Sequence, residues 1–124
     1  MKLDVGVDIV EIDRIRKACR RLGKRFLNRI FTPQEQAYCG RKSDPVPHLA
    51  ARFAAKEAVY KGLGLKRGRA LRWREIEVVS HASGKPLVHL SGALAKEARA
   101  GGVRKMALSL SHSKRYAVAQ VVIL

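Results

Sequence analysis

The spacing of the apolar residues changes near residue 11, and this change limits the folds open to the chain. Residues 3–10 are mostly apolar and β-branched, with the acid Asp8 among them, which predicts a buried strand. After that the spacing becomes three or four residues, which is typical of an amphipathic helix with one face on a core. The residues that carry this spacing are Ile12, Ile15, Cys19, Leu22, Phe26 and Ile30. A strand is therefore expected to lead directly into a helix, which Gly23 divides in two.

More helices are predicted in the middle of the chain. Thr32-Pro33-Gln34-Glu35 has the composition of a capping box and predicts a helix that runs to Cys39. Residues 40–47 contain two prolines and predict a turn or a mobile loop. A long Ala-rich helix is expected from His48 to about Leu63, followed by a basic connector over residues 65–74.

The last third of the chain predicts two hairpins. Residues 76–79 and 87–90 are expected to pair through the turn Ser83-Gly84-Lys85-Pro86, and residues 105–111 are expected to pair with 116–124. Between the hairpins, Ser91 is expected to cap a short helix that ends near Arg99. Hairpins combined with early helices predict an α+β fold with an antiparallel sheet, and 124 residues suffice for a single domain over 1–124.

The charge balance is strongly positive. Lys and Arg number 26 against 10 Asp and Glu, a formal net charge of +16. Such a field favours an anionic partner, and composition alone leaves nucleic acid, an anionic membrane, a phosphate-rich small molecule or an acidic protein open. Much of this charge lies on the polar face of the first helix: Arg14, Arg16, Lys17, Arg20, Arg21, Lys24 and Arg25.

Targeting and cysteine patterns favour a soluble cytoplasmic protein. No run of about 18 apolar residues occurs, and acids interrupt the first apolar stretch, unlike in a signal peptide. Cys19 and Cys39 lack the spacing of a zinc site, so we expect buried, reduced thiols. A core drawn from 124 residues is modest, which is compatible with a homo-oligomer.

Two acids are candidates for chemistry. Asp8 lies in an apolar strand, where a carboxylate needs a compensating partner, and Glu57 lies in the Ala-rich helix one turn before Lys61. One interpretation is an ordinary Glu57–Lys61 pair on a solvated helix face. The other joins Asp8 and Glu57 around one Mg²⁺ ion, which commonly takes one or two protein carboxylates together with substrate phosphate oxygens. Lys61 would then contact the same phosphates, as phosphoryl transfer requires.

Other familiar catalytic patterns are missing. Ser109-Leu110-Ser111-His112 ends a predicted strand without a serine hydrolase motif, so His112 is either a phosphate donor or a turn histidine bonded to backbone. The chain contains neither a Walker loop nor GxGxxG, and His48, His81 and His89 are assigned no role. A nucleic-acid-binding module remains an alternative, although it would leave Asp8 and Glu57 unexplained.

Five motifs in one order resemble a known family. They are Gly6-Val7-Asp8-Ile9-Val10-Glu11-Ile12, Phe31-Thr32-Pro33-Gln34-Glu35 with Tyr38-Cys39, Arg52-Phe53-Ala54-Ala55-Lys56-Glu57-Ala58 with Lys61, Gly84-Lys85-Pro86, and Ser109-Leu110-Ser111-His112. The chain resembles the holo-acyl-carrier-protein synthases, the small bacterial 4′-phosphopantetheinyl transferases, over residues 5–122. The resemblance implies transfer of 4′-phosphopantetheine from coenzyme A to a serine of an acidic apo acyl carrier protein, which supports fatty acid synthesis and releases adenosine 3′,5′-bisphosphate.

The resemblance also implies roles for individual residues. Asp8 and Glu57 match the family's Mg²⁺-binding acids, and Lys61 matches its phosphate-binding lysine, so these three are the expected catalytic residues. Coenzyme A is expected to contact Arg52, Lys61, Gly84, Pro86, Ser111 and His112. The carrier protein is expected on the first helix, at Arg14 and Arg21.

The resemblance further implies a homotrimer with active sites between neighbouring subunits, and partners that include neither nucleic acid nor a membrane. The chain departs from many relatives at Gly64-Leu65-Lys66-Arg67-Gly68, where they have a short Gly-Thr-Gly segment. A catalytically silent relative is a further alternative, which the presence of Asp8, Glu57 and Lys61 disfavours.

Overall fold

A computed structural model of the chain describes residues 3–65 and 72–124. Residues 66–71, which hold most of the predicted basic connector and the Lys66-Arg67-Gly68 part of the departure from the family pattern, lie outside the described residues. The elements in chain order are β1 (Asp4–Glu11), α1 (Ile12–Leu22), α2 (Lys24–Ile30), α3 (Pro33–Gly40), α4 (Pro45–Gly62), a 3-10 turn (Trp73–Glu75), β2 (Ile76–Ser80), β3 (Pro86–Leu90), α5 (Gly92–Ala100), β4 (Met106–His112) and β5 (Tyr116–Ile123).

The strands form two antiparallel sheets. One has the order β1-β5-β4, with Asp8 opposite Ala119 and Ala119 opposite Leu110. The other is the hairpin β2-β3, in which Ser80 pairs with Pro86. Both predicted hairpins and the α+β class are thus confirmed. No helix among the described residues is long and apolar enough to cross a membrane.

Within residues 3–65 and 72–124, the three-stranded sheet is covered on one face only, by α4. The alternate β1 residues Gly6 and Val10 face α4 and are buried, whereas Val5, Val7 and Ile9 face the opposite way and are between 54% and 63% exposed. The predicted burial of the first strand therefore holds on one face only, because among the described residues a single layer covers this sheet. We call the uncovered side of this sheet the outer face; register places on it Val5, Val7, Ile9, Val118, Gln120, Val122, Ala107, Ser109 and Ser111.

The start of α4 also differs from the prediction. The expected loop over residues 40–47 is shorter, because the helix begins at Pro45 and not near His48. Asp44 is the N-cap, and its side chain accepts a hydrogen bond from Val46 N at 3.2 Å. A proline at the first helical position costs no hydrogen bond, which explains why this Pro-containing segment is helical.

The cap of α5 differs as well. Ser91 makes no side-chain capping hydrogen bond. Glu75 Oε1 accepts a hydrogen bond from Leu94 N at 2.9 Å instead, so a carboxylate from the 3-10 turn takes the place of the local hydroxyl. A contact between residues 19 positions apart leaves no local signal in the sequence.

A buried ion pair joins α3, α4 and β2. The capping box at Thr32 is confirmed, and Glu35 also lies 2.8 Å from Lys56 Nζ, with both side chains fully buried. Val78 N donates to the second Glu35 oxygen at 2.8 Å, while Lys56 donates to the carbonyl oxygens of Trp73 and Ile76. Burial lowers the pKa of Lys56, and the nearby Glu35 carboxylate opposes this shift.

The two cysteines are free. Cys39 is 1% exposed, and burial raises the pKa of its thiol to about 11. Cys19 is only partly buried. The expectation of buried, reduced thiols therefore applies in full to Cys39 alone.

Candidate active site

The site begins where β1 and α4 lie backbone against backbone. A Cβ atom on Gly6 would overlap the carbonyl oxygen of Ala58, and one on Gly62 would lie 3.3 Å from Gly6 N. Glycine is required here because no side chain fits between the strand and the helix. This close approach brings the end of α4 that carries Glu57 and Lys61 beside the part of β1 that carries Asp8.

Lys61 spans the junction between the two elements. Its Nζ lies 2.7 Å from Asp8 Oδ1 and donates to the carbonyl oxygen of Val7 at 3.3 Å. The Asp8 side chain is 14% exposed, whereas that of Lys61 is 49% exposed. Asp8 and Lys61 are therefore in direct contact, and the compensating partner expected for Asp8 is a lysine from the facing helix.

Glu57 is buried, at 7% exposed, one turn before Lys61 on α4. Two carboxylates beside a lysine form a set of hard oxygen donors, of the kind that Mg²⁺ prefers. Within residues 3–65 and 72–124, no group of three or more His, Cys, Asp or Glu side chains could hold a metal ion. The donor chemistry of these carboxylates suits an ion that takes one or two protein carboxylates and completes its coordination with water and phosphate oxygens.

Arg52 is the centre of a second, cationic group. It is 4% exposed, and its guanidinium lies 4.3 Å from the centre of the Tyr38 ring. Lys42 lies over the same ring at 4.7 Å. With the described residues, the terminal nitrogens of Arg52 make two long hydrogen bonds of 3.4 Å, to His48 O and to Ser80 Oγ. A hydrogen bond with Ser80 and the neighbouring cations lower the pKa of Tyr38.

Two histidines extend this group. The His48 and His112 rings lie 5.4 Å apart, centre to centre, at an angle of 71°. Burial lowers the pKa of His48, and the neighbouring His112, Lys42 and Arg52 lower it further. We call Lys42, His48, Arg52 and His112 the cationic cluster. The sequence pattern did not predict that His48 or Lys42 belongs to this cluster, since the contacts within the cluster join elements that are separate in sequence.

The other predicted coenzyme A residues lie near this cluster or at the sheet. Pro86 pairs with Ser80, which Arg52 contacts, and Gly84 lies in the exposed turn just before it, with φ at +89°. This register brings the Gly84-Pro86 turn next to Arg52. Ser111 lies on the outer face of the three-stranded sheet, one residue before His112.

The residues of the Asp8–Glu57–Lys61 group and those of the cationic cluster lie on different sides of α4. Arg52 and Glu57 are five residues apart, which places their side chains about 140° apart around the helix axis. His48 and Lys61 are about 20 Å apart along that axis. One chain therefore presents the Asp8–Glu57–Lys61 group on one side and the cationic cluster on another.

The two arginines predicted for the carrier protein share one surface. Arg14 and Arg21 are exposed, seven residues apart on α1, and line the same groove together with Lys17. Acidic side chains also line this groove, from Glu11 and Asp13, and Lys17 pairs with Asp13 at 3.1 Å. The groove therefore carries both signs of charge: the acids lie at the beginning of α1, and the basic side chains lie further along the helix.

Comparisons with known proteins identify the family. A family model described as the 4′-phosphopantetheinyl transferase superfamily matches residues 4–121. The chain belongs to this superfamily. A holo-[acyl-carrier-protein] synthase of Chlamydia trachomatis is 50% identical over 118 residues, which cover 95% of this chain and 96% of that relative.

Solved structures of phosphopantetheinyl transferases share the fold. A holo-[acyl-carrier-protein] synthase from Neisseria meningitidis superimposes with a TM-score of 0.89 at 36% identity, covering 98% of this chain and 97% of that one. The Helicobacter pylori synthase in complex with coenzyme A has a TM-score of 0.85 at 32% identity, covering 97% and 99%. The family resemblance of the sequence motifs is confirmed.

Proposed function

We propose that this chain is a cytoplasmic holo-[acyl-carrier-protein] synthase, which transfers 4′-phosphopantetheine from coenzyme A to a serine of an acidic apo acyl carrier protein for fatty acid synthesis. The observation that carries the proposal is the nearly full-length similarity to proteins of that name, at up to 50% identity among the relatives described above. The serine oxygen bonds to the phosphorus that bears pantetheine, the pyrophosphate bridge to that phosphorus breaks, and adenosine 3′,5′-bisphosphate leaves with the serine proton transferred to a base.

The acids at the β1–α4 junction are proposed to hold Mg²⁺. Asp8 and Glu57 would be its protein ligands, and the bound ion would neutralise negative charge on the pyrophosphate. Lys61 contacts Oδ1 of Asp8, so the second oxygen of that carboxylate is the one suited to a cation. With its Nζ beside Asp8, Lys61 is suited to hold the same phosphate and to offset charge on the leaving bisphosphate.

The cationic cluster is proposed to bind the other phosphates of coenzyme A. A buried guanidinium with long hydrogen bonds is suited to an incoming phosphate, which accepts strong charge-assisted hydrogen bonds. The Gly84-Pro86 turn and Ser111 would line the nucleotide. Backbone at Gly84 has a positive φ that a glycine adopts without strain.

We infer a homotrimer with each site shared between neighbouring copies, as in the family. Two features support this inference. The outer face exposes Val5, Val7 and Ile9, each more than half exposed, and contiguous apolar strands of this kind normally face another protein surface. The Asp8 group and the cationic cluster point away from α4 on different sides, so a second copy can supply one group to the other. Sedimentation is expected to give a three-chain particle; a stable monomer would contradict the inference.

The direct test of the function is a mass measurement. The chain, apo acyl carrier protein, coenzyme A and Mg²⁺ are incubated together, and the carrier is weighed by mass spectrometry. We expect the carrier to gain one 4′-phosphopantetheine group, and a carrier whose acceptor serine is changed to alanine to gain none. An unmodified wild-type carrier, with the chain folded, would overturn the proposal.

Charge reversal on α1 is expected to weaken carrier binding alone. Arg14→Glu combined with Arg21→Glu places two acids opposite an acidic partner, so the KM for the carrier should rise at least about tenfold. The KM for coenzyme A should stay near the wild-type value. Added salt should raise the wild-type carrier KM, since screening weakens the attraction between exposed charges.

The control variant reverses two exposed charges elsewhere. Lys96→Glu with Arg99→Glu on α5 changes the net charge by the same amount but leaves α1 intact. If this control raises the carrier KM as much as the α1 variant, the effect belongs to total charge and the docking surface on α1 is wrong.

A further inference from the structure

His48 lies in a position that the family motifs do not single out. It is in the first turns of α4, partly buried, with its ring across from His112 at the end of β4. Arg52, one turn further along α4, donates to the carbonyl oxygen of His48. The histidine therefore belongs to the same group of side chains as the buried guanidinium.

The charged and titratable groups that act on His48 come from several elements. Arg52 acts from its own helix, Lys42 from the segment after α3, and His112 from β4, while Asp44 at the N-cap is the opposing charge. Asp44 already binds Arg16 at 2.9 Å and accepts from Val46 N. Partial burial and these neighbouring groups lower the pKa of His48, and Asp44 opposes the shift.

Arg52 supplies the second observation. Its Nε atom is buried and, in the part of the chain that the structure describes, has no hydrogen-bond partner. Each of its terminal nitrogens makes one long contact of 3.4 Å with the described residues, to His48 O and to Ser80 Oγ. A buried cation with unsatisfied donors is costly unless an anion fills the space beside it. The group around His48 is thus built for a ligand with several negative oxygens.

Resting on the proposed coenzyme A binding, we propose that His48 is a further substrate-binding residue, which takes up a proton when a phosphate of coenzyme A enters the cationic cluster. A phosphate beside the ring offsets the repulsion from Lys42, Arg52 and His112. The protonated ring then donates to phosphate oxygens as a charged group. Because the complex holds more protons than the free protein, a fall in pH favours the complex.

Calorimetry measures this proton uptake. Coenzyme A is titrated into the wild-type chain near pH 7 in buffers of different ionisation enthalpy, and the slope of the observed heat gives the protons bound. His48→Gln is compared with His89→Gln, which changes an exposed histidine at the opposite end of the β2–β3 hairpin from Ser80. We expect reduced proton uptake for His48→Gln and wild-type uptake for His89→Gln.

The affinity for coenzyme A should also depend on His48 at low pH and not at high pH. At pH 6, His48→Gln is expected to bind coenzyme A about three- to tenfold more weakly than the wild type, because glutamine cannot take up the proton that strengthens the contact with phosphate. At pH 8.5 the two proteins should agree within about twofold, since His48 is neutral in both forms of the wild type. The 3′-phosphate of coenzyme A also titrates near pH 6, and comparing variant with wild type cancels its contribution.

Dephospho-coenzyme A distinguishes the two phosphate sources. If the uptake that depends on His48 disappears with this ligand, the cluster holds the 3′-phosphate; if it persists, the cluster holds the pyrophosphate. A histidine NMR titration of the wild type needs no variant, and the pKa of His48 should rise when coenzyme A is added.

Two results overturn the inference. Coenzyme A binding with equal proton uptake in wild type and His48→Gln, or an unchanged His48 titration, refutes the role of His48 and leaves the proposed function intact. A wild-type chain that binds no coenzyme A refutes both.

Discussion

Glu57→Gln is expected to reduce turnover at least about 100-fold at matched Mg²⁺, with little change in thermal stability. Glutamine keeps the size of the side chain but removes the negative charge that is proposed to hold the metal. A metal ion contributes several kcal/mol to charge stabilisation in the transition state, and each 1.36 kcal/mol lost slows the reaction tenfold. Turnover is measured by carrier mass against time, and stability by thermal unfolding.

Two comparisons make the Glu57 result specific. Glu97→Gln on α5 removes the same charge from an exposed site, where its contact with Arg72 is a long surface pair of 3.8 Å, and should keep wild-type turnover. Raising Mg²⁺ should restore part of the activity of Glu57→Gln if the lost charge binds the metal. Wild-type turnover in Glu57→Gln would remove Glu57 from the mechanism.

Lys56→Met is expected to destabilise the fold by about 3–5 kcal/mol, because it leaves the carboxylate of Glu35 buried without its cation. Both side chains of the pair are fully buried at a distance of 2.8 Å. Methionine fills similar space, so the loss reflects charge more than volume. Urea unfolding at one fixed chain concentration measures the effect, since association also contributes to stability.

A double variant separates charge from packing. Lys56→Met combined with Glu35→Gln removes both charges, and it should be more stable than the sum of the two single effects predicts, by about 1–3 kcal/mol. Strict additivity would show that the pair is not coupled and that Lys56 acts through its contacts with Trp73 and Ile76 alone.

Local patterns predicted most of the elements. The change of apolar spacing near residue 11, the capping box at Thr32 and the turn at Gly84 each depend on neighbours in sequence, and all three have the predicted structure. The predictions were wrong where a residue distant in sequence caps a helix, or where a sheet face has no layer packed on it. Glu75 caps α5 from another element, and β1 is exposed on one side because no helix in the described part of the chain covers it.

The site was predictable only in part for the same reason. The pattern singled out Asp8 and Lys61, and the structure brings them into contact, but no spacing indicates that Lys61 reaches Asp8 across 53 residues. His48 and Glu35 were not assigned these contacts, since their partners come from other elements that are remote in sequence. Only the folded structure reveals these contacts, in which the ring of His48 lies beside His112 and the carboxylate of Glu35 lies beside Lys56.

The exposed outer face has a kinetic consequence. If apolar strands of separate copies must cover one another before both halves of a site meet, the rate per chain depends on how much of the protein is present. Dilution would then disable catalysis without unfolding any helix of the chain. The abundance of the protein would itself regulate how fast carriers mature.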